Sequence, residues 1–341
     1  MPTDHSPVSP PDPPIDSSRP SPPAQLHAAS ALYGVESTAL EPLGAFESDV
    51  YAYDGPQGPS ILKVIAPEHR SVDQVRAEVD WLLALSEAGI PVAEPLPALS
   101  GAWVERLGDP EKILVAFRRA PGVLTKPADW TDEGVEAWGA LLGQLQAHSR
   151  GFTPPGPRRR LLRAQAYASG FETVVPDDAG FVAGAEKLAA RIAPLLEPGP
   201  DFGLIHADLH HGNLLLDDER WTAIDFDDSA YGPYVFDLAM PLYYAVRGQP
   251  GRPADEAAND FLGPFLRGFR RHAPDPAGGG AAISLCLDYR QAELVMALRL
   301  KVPAEQWDDQ LRSIERELRA NVAAGRELVS ANVLRRWFES A

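Results

Sequence analysis

With 341 residues and 45% apolar side chains, the chain can build one large two-lobed unit or two ordinary domains around a substantial core. A formal net charge of −17, from 48 acidic against 31 basic residues, argues against nucleic acid as a partner, because counterion release needs clustered Lys and Arg. No apolar run reaches the roughly 18 residues of a membrane-spanning helix, and the lone Cys286 cannot form an internal disulfide, which together fit a cytoplasmic setting.

The first segment in chain order reads as unstructured. Residues 1–25 are dominated by Pro and Ser, as in Pro10-Pro11-Asp12-Pro13-Pro14, and lack the positive start and apolar stretch of a signal peptide. Such a segment buries too little apolar surface to offset its ordering entropy, so a disordered tail is expected; a polyproline ligand for a partner is the second reading. Val50–Tyr53 and Ser60–Ile65 are β-type runs around the turn formers Asp54–Pro59, which predicts a hairpin. Ser71 with Gln74 forms a capping-box pattern, and Val75, Val79, Leu82 and Leu83 then recur at helical spacing until Gly89 and Pro91. Ile113–Phe117 reads as a buried strand, broken by Ala120-Pro121-Gly122.

Beyond that joint the pattern turns helical. Val135, Trp138, Leu141, Leu142 and Leu145 share one face of a helix opened near Thr131, and a second helix is expected from about Phe181 to Leu196. Arg158-Arg159-Arg160 with Arg163 reads as a solvated loop leading into a helix. Gly203–Ile205, Leu214–Leu216 and Trp221–Ile224 are short β-runs, the last two joined by a turn at Asp217–Arg220. From Asp237 onward the pattern is helical, interrupted at Gly278-Gly279-Gly280, and no internal repeat is evident.

The chemistry concentrates in His206-Ala207-Asp208-Leu209-His210-His211-Gly212-Asn213 and, after the hairpin, Ile224-Asp225-Phe226-Asp227. Phosphoryl transfer requires metal held on a nucleotide beside an oriented hydroxyl. An Asp and an Asn five residues apart on one loop divide that work: Asp208 accepts the hydroxyl proton and Asn213 offers a neutral oxygen to Mg²⁺. Asp225, at the end of the returning strand, supplies an anionic ligand. Pairing Leu214–Leu216 with Thr222–Ile224 sets Asn213 and Asp225 side by side.

The segment from His206 to Asp237 resembles the catalytic region of the aminoglycoside phosphotransferase/choline kinase-like superfamily, and bacterial stress-response and homoserine kinases of that fold have similar loops. The resemblance implies an α+β, two-lobed protein-kinase-like fold: a small β-rich N-lobe over residues 26–115, a hinge over 116–122 and a larger α-rich C-lobe over 123–341. It implies that Asp208 is the catalytic base, that His206 orients its loop, that Asn213 and Asp225 bind Mg²⁺, and that Asp237 braces the loop through backbone N–H groups. Lys63 takes the place of the family's phosphate-anchoring lysine, with Glu78 as its partner, and Ala116 to Arg119, with Ala116 and Arg118 as nucleotide-binding positions, occupies the place of the adenine hinge. The nucleotide loop at Leu43–Asp49 departs from the pattern. It has a single glycine, Gly44, with Ser48 able to add a hydroxyl, and Glu47 and Asp49 have to point away from phosphate.

Other readings stay open. His206, Asp208, His210 and His211 also suit a Zn²⁺ or Fe hydrolase, whose further His ligands usually come from distant loops. A catalytically dead binding module predicts the loss of Lys63, Asp208, Asn213 or Asp225, and all are present. Only eleven residues separate Asp225 from Asp237, too few for a peptide-binding activation segment, so the acceptor is expected to be a small-molecule hydroxyl, with protein Ser/Thr second. Its pocket is expected in the helical part, near Tyr231, Tyr234, Tyr243 and Tyr244, at least half of which belong to the core. Asp227 and Asp228 are expected to face the acceptor and could draw an amine. ATP and GTP are equally admissible as donor, and the oligomeric state is not fixed by the sequence.

Overall fold

The computed structural model describes residues 23–45, 48–108, 111–156 and 170–338. The expected tail, Glu47 of the nucleotide loop and the Arg158–Arg163 cluster thus lie outside the described residues, save for Pro23–Gln25, which open helix α1 (Pro23–Leu32).

An antiparallel sheet forms the first lobe from β1 (Glu41–Ala45), β2 (Ser48–Gly55), β3 (Gly58–Ile65), β4 (Pro95–Leu96), β5 (Glu105–Leu107) and β6 (Lys112–Arg118). The order is β1-β2-β3-β6-β4, with β5 also on β6. Alternation along β3 and β6 separates two apolar faces. Leu62, Val64, Leu114 and Ala116 pack with Tyr51, Tyr53 and the α1 residues Ala29 and Tyr33. Ile65, Ile113, Val115 and Phe117 meet Val75, Val79, Leu82 and Leu85 of α2 (Val72–Glu87). Lys63, between Leu62 and Val64, therefore belongs to the α2 face. The Ser71 capping box forms as expected, Ser71 Oγ accepting from Gln74 N and Gln74 returning the bond.

The second lobe is mostly helical: α3 (Asp132–Gly151), α4 (Phe171–Val174), α5 (Ala179–Ile192), α6 (Tyr234–Arg247), α7 (Ala254–Phe269), α8 (Gly279–Lys301), α9 (Asp309–Ala324) and α10 (Ala331–Phe338). Thr131 caps α3 by accepting from Gly134 N. Helices α3 and α7 meet backbone to backbone, since a Cβ on Gly139 would run into the carbonyl of Phe265, and one on Gly268 into that of Glu136. Strand β7 (Phe202–Ile205) pairs with β10 (Ala230–Pro233), and β8 (Leu214–Asp217) with β9 (Arg220–Ala223).

The β8–β9 hairpin is stitched to the chain on both sides of the joint between lobes. Ala93 N donates to Ala223 O at 3.0 Å and Ala223 N to Pro91 O at 3.0 Å, while Val123 and Leu216 exchange bonds of 3.0 and 2.9 Å. Gly122, at φ +97°, allows this approach: a side chain there would strike the Leu216 carbonyl. The hairpin, and with it Asn213 and Asp225, is thereby held against Pro91–Ala93 and Val123.

Candidate active site

A cleft of about 1160 Å³ lies between the lobes, lined by Gly44, Ser48, Lys63 and Phe117 on one side and Asp208, Asn213 and Asp225 on the other. The loop that carries Asp208 is built by strain and compensation. Ala207 sits at φ 68°, a left-handed conformation that costs a non-glycine residue on the order of 1 kcal/mol or more. The buried Asp237 carboxylate offsets it, accepting from His206 N at 3.1 Å and Ala207 N at 2.9 Å. Burial pushes the Asp237 carboxyl up, against the opposing pull of His206 and these two N–H groups. His206, fully buried, donates from Nε2 to the Ile224 carbonyl at 3.1 Å and packs on Phe226 at 4.5 Å, which ties the Asp208 loop to the strand leading into Asp225.

Asp225 is itself left-handed, at φ 61°, with nearly half its side chain open to the cleft. Ile224 N donates to Asn213 O at 3.0 Å, so Asn213 and Asp225 are close neighbours, one residue out of the register expected from sequence. Asn213 donates from Nδ2 to the Asp208 carbonyl at 2.9 Å, which turns its Oδ1 to the opposite side of the amide.

Lys63 reaches across from β3. Its Nζ donates to Asp225 Oδ1 at 2.8 Å and to Asp227 Oδ1 at 2.9 Å. Burial disfavours the ammonium, but Asp227, Asp225 and Glu78 outweigh it and hold Lys63 charged. The sequence paired Lys63 with Glu78. In the structure Glu78 is a buried ion-pair partner of Arg70 and acts on Lys63 through its negative field, while Arg70 Nη1 also donates to Asp227 Oδ1 at 2.7 Å. Asp227, expected at the acceptor, is thus turned to the two cations of the first lobe; Asp228 lines the cleft.

Two nucleotide positions need correction or detail. Ala116 does not line the cleft, because strand alternation sends it into the α1-facing cluster while its neighbour Phe117 faces inward. Arg118 does line it, but its N–H is donated to Glu94 O at 2.7 Å and its guanidinium to Glu94 Oε2 at 2.8 Å and Gln57 O at 3.0 Å. Gly44 and Ser48 lie at the cleft mouth; a Cβ on Gly44 would meet nothing, so the turn does not depend on a missing side chain there.

Asp208 is engaged through both carboxylate oxygens. Arg290 Nη2, from α8, donates to Oδ1 at 2.7 Å. His210 accepts at Nδ1 from Gly212 N at 2.9 Å, so its proton is on Nε2, which faces Asp208 Oδ2 at 3.3 Å. Burial alone would raise the Asp208 carboxyl, but the His210 hydrogen bond and the Arg290 charge prevail and hold it at about 2. These assignments leave His206 and His210 with their Nε2 atoms committed to protein oxygens, which disfavours a zinc-type cluster. Among the described residues no group of three His, Cys, Asp or Glu converges as a metal cage.

Arg290, Tyr244 and Arg70 were not singled out in the sequence as ionic or hydrogen-bonding parts of the site. Tyr244 accepts from Arg290 at 2.9 Å and stacks on His210 at 4.2 Å, whereas Tyr234 and Tyr243 are buried core, as expected for half of that set. Glu293, one turn beyond Arg290, is buried in the cleft wall. Burial raises its carboxyl to about 7, opposed by Arg290 and supported by Asp228 and Asp208. A raised carboxyl means the folded chain binds more protons than the unfolded one, so this residue costs stability as pH rises from its ordinary 4.5 through 7. Thermal midpoints of wild type and Glu293→Gln measured across that range are expected to differ in slope, the wild type losing more towards pH 7.

Fold and site together define a phosphotransferase with the two-lobed kinase-like architecture. Residues 39–274 match the APH phosphotransferase enzyme family, and the chain belongs to that family. It is 31% identical over 261 residues to the amicoumacin kinase of Bacillus subtilis (strain 168), an alignment covering 74% of this chain and 77% of that one. It is 28% identical over 214 residues to stress response kinase A of Escherichia coli (strain K12), covering 60% and 63%. Among solved structures it is similar to amicoumacin kinase hAmiN in complex with AMP-PNP, Ca²⁺ and Ami, at 26% identity and TM-score 0.81 over 89% of this chain and 93% of that one. A microcompartment-associated aminopropanol kinase shares the fold, with TM-score 0.68 at 23% identity over 87% and 94%. The chain is accordingly a kinase acting on alcohol groups. Among the described residues no helix is long and apolar enough to cross a membrane.

Proposed function

We propose that the chain transfers the γ-phosphoryl group of ATP to a hydroxyl of a small, amine-bearing molecule, with Asp208 as base. The observation that carries this reading is the convergence of Lys63, from one lobe, on Asp225 and Asp227 of the other, beside the loop of Asp208 and Asn213. The complex of the similar amicoumacin kinase with AMP-PNP supports ATP as donor.

The residues fit Mg²⁺. Asp225 presents an open carboxylate and Asn213 an amide oxygen, an all-oxygen pair suited to a hard cation that keeps waters and substrate phosphates as its other ligands. When bound, the ion neutralises charge developing on the phosphates. Lys63 then binds phosphate oxygens, with Gly44 and Ser48 at the loop end, and Asp208 orients the acceptor hydroxyl and takes its proton. His206 and Asp237 hold the Asp208 loop, and Glu78 with Arg70 holds the charge balance around Lys63.

The acceptor end of the cleft supports an amine. Asp208, Asp228 and Glu293 place their negative fields together there, with Arg290 between them. Leu294, Ala297, Leu298 and Val302 add an apolar wall, which favours a molecule with an apolar body. The similarity to the serine/threonine protein kinase RdoA of Salmonella typhimurium (strain LT2) supports protein Ser/Thr as a second acceptor class. ADP release is to be measured with Mg–ATP and a panel of amino alcohols, aminoglycosides, their neutral analogues and a Ser/Thr peptide. Turnover is expected with the amine-bearing alcohols. Turnover confined to neutral or anionic compounds retires the amine, and turnover confined to the peptide retires the small-molecule acceptor.

A further inference from the structure

A general base must offer an electron-rich lone pair to an incoming hydroxyl, yet both oxygens of Asp208 already accept from neighbours, which leaves only part of the carboxylate's acceptor capacity free. Arg290 Nη2 holds Oδ1 at 2.7 Å, and Oδ2 faces His210 Nε2 at 3.3 Å and Asn213 Nδ2 at 3.4 Å. The short contact is the strong one, being charge-assisted and part-buried. While the guanidinium stays on Oδ1 its charge weakens the carboxylate as a base, so full basicity toward an alcohol requires the guanidinium to yield.

The surroundings of Arg290 provide for that move. Glu293, one helical turn away, lies 3.4 Å from Nη1, longer than a good N–H···O bond, so it is a second carboxylate only loosely engaged. Tyr244 OH holds Nη2 at 2.9 Å, and Nε is buried without a hydrogen-bond partner in the structure. A shift from Asp208 to Glu293 exchanges one carboxylate for another. The cation stays paired, which avoids the heavy cost of an uncompensated buried charge.

We propose that Arg290 is a specificity-determining residue that caps Asp208 and yields it to an alcohol but not to water. This rests on the reading of Asp208 as base. An acceptor whose body packs on Leu294, Ala297 and Leu298 gains contacts that offset displacement of the cap, whereas a water molecule makes none of them. The reaction so suppressed is hydrolysis. A water oxygen bonds to the γ-phosphorus, the bond from that phosphorus to the bridging oxygen breaks to release ADP, and the water proton passes to Asp208 and then to solvent.

The test is ADP release from Mg–ATP with no acceptor present. A positioned base contributes roughly 10²–10⁴-fold, so uncapping part of that capacity in Arg290→Ala is expected to raise hydrolysis roughly tenfold or more. Adding Asp208→Asn is expected to abolish the gain. An Arg290→Ala protein that binds Mg–AMP-PNP as wild type does, yet hydrolyses ATP no faster, overturns the cap. A gain that survives Asp208→Asn overturns both the cap and the assignment of the base. If Arg290→Ala does not fold, the double variant Arg290→Gln/Glu293→Gln, which leaves no orphaned buried charge, serves for the same comparison. A role in packing alone lowers hydrolysis or leaves it unchanged; it does not raise it.

Discussion

Asp208→Ala is expected to lower kcat for phosphoryl transfer by roughly 10²–10⁴-fold, the usual contribution of a positioned general base, with nucleotide affinity close to wild type. The separation follows from geometry. Asp208 is turned to Arg290 and His210 on the acceptor side, whereas the contacts of Lys63 run to Asp225 and Asp227. The variant retains its fold because Arg290 keeps Tyr244 at 2.9 Å and Glu293 at 3.4 Å, and because the loop is braced by Asp237, which the substitution does not touch. With the carboxyl held at about 2 by His210 and Arg290, Asp208 is ionised throughout the neutral range. An acid limb in the free enzyme's pH profile near neutrality therefore has to come from another group. Steady-state turnover with any acceptor active in the panel provides the check.

Asp225→Ala is expected to produce a different loss. It removes the anionic oxygen beside Asn213 while Lys63 keeps Asp227 at 2.9 Å and Arg70 keeps Glu78 and Asp227, so the lobes stay tied and the protein stays folded. What is expected to disappear is the Mg²⁺-dependent part of nucleotide binding. Wild type at about a hundred times Kd for Mg–ATP is expected to gain roughly 2.7 kcal/mol of stability by mass action. Asp225→Ala is expected to show almost no Mg-dependent gain. Thermal denaturation with and without Mg–ATP measures it.

Much of this site is legible in the sequence because its parts are local. His206, Asp208 and Asn213 sit on one loop, the hairpin returns the chain to Asp225, and Asp237 meets the N–H groups of His206 and Ala207. Caps at Ser71 and Thr131 are equally local and form where the spacing puts them. The hairpin register differs by one residue from the pairing of Leu214–Leu216 with Thr222–Ile224: Asp217 pairs with Arg220 across a two-residue turn in which Asp218 adopts φ 53°, a conformation that Asp tolerates better than most residues, and this sets Leu214 opposite Ala223. What sequence could not show is how distant side chains choose partners. Arg290 lies 82 positions from Asp208 in a helix that is apolar on most sides, so no periodicity marks it. Arg70 looks like an ordinary residue before a helix cap, yet it takes up both Glu78 and Asp227. Ala116 was misplaced by a single step of strand alternation, which pattern alone does not phase relative to a cleft.

The division of labour between Asp208 and Asp225 is tested most directly by calorimetric titration of AMP-PNP, with and without Mg²⁺, into wild type, Asp208→Ala and Asp225→Ala. Mg²⁺-dependent binding should persist in Asp208→Ala and vanish in Asp225→Ala. Equal loss in both variants, or its retention in Asp225→Ala, contradicts the assignment of a metal-held triphosphate to the Lys63–Asp225 side of the cleft.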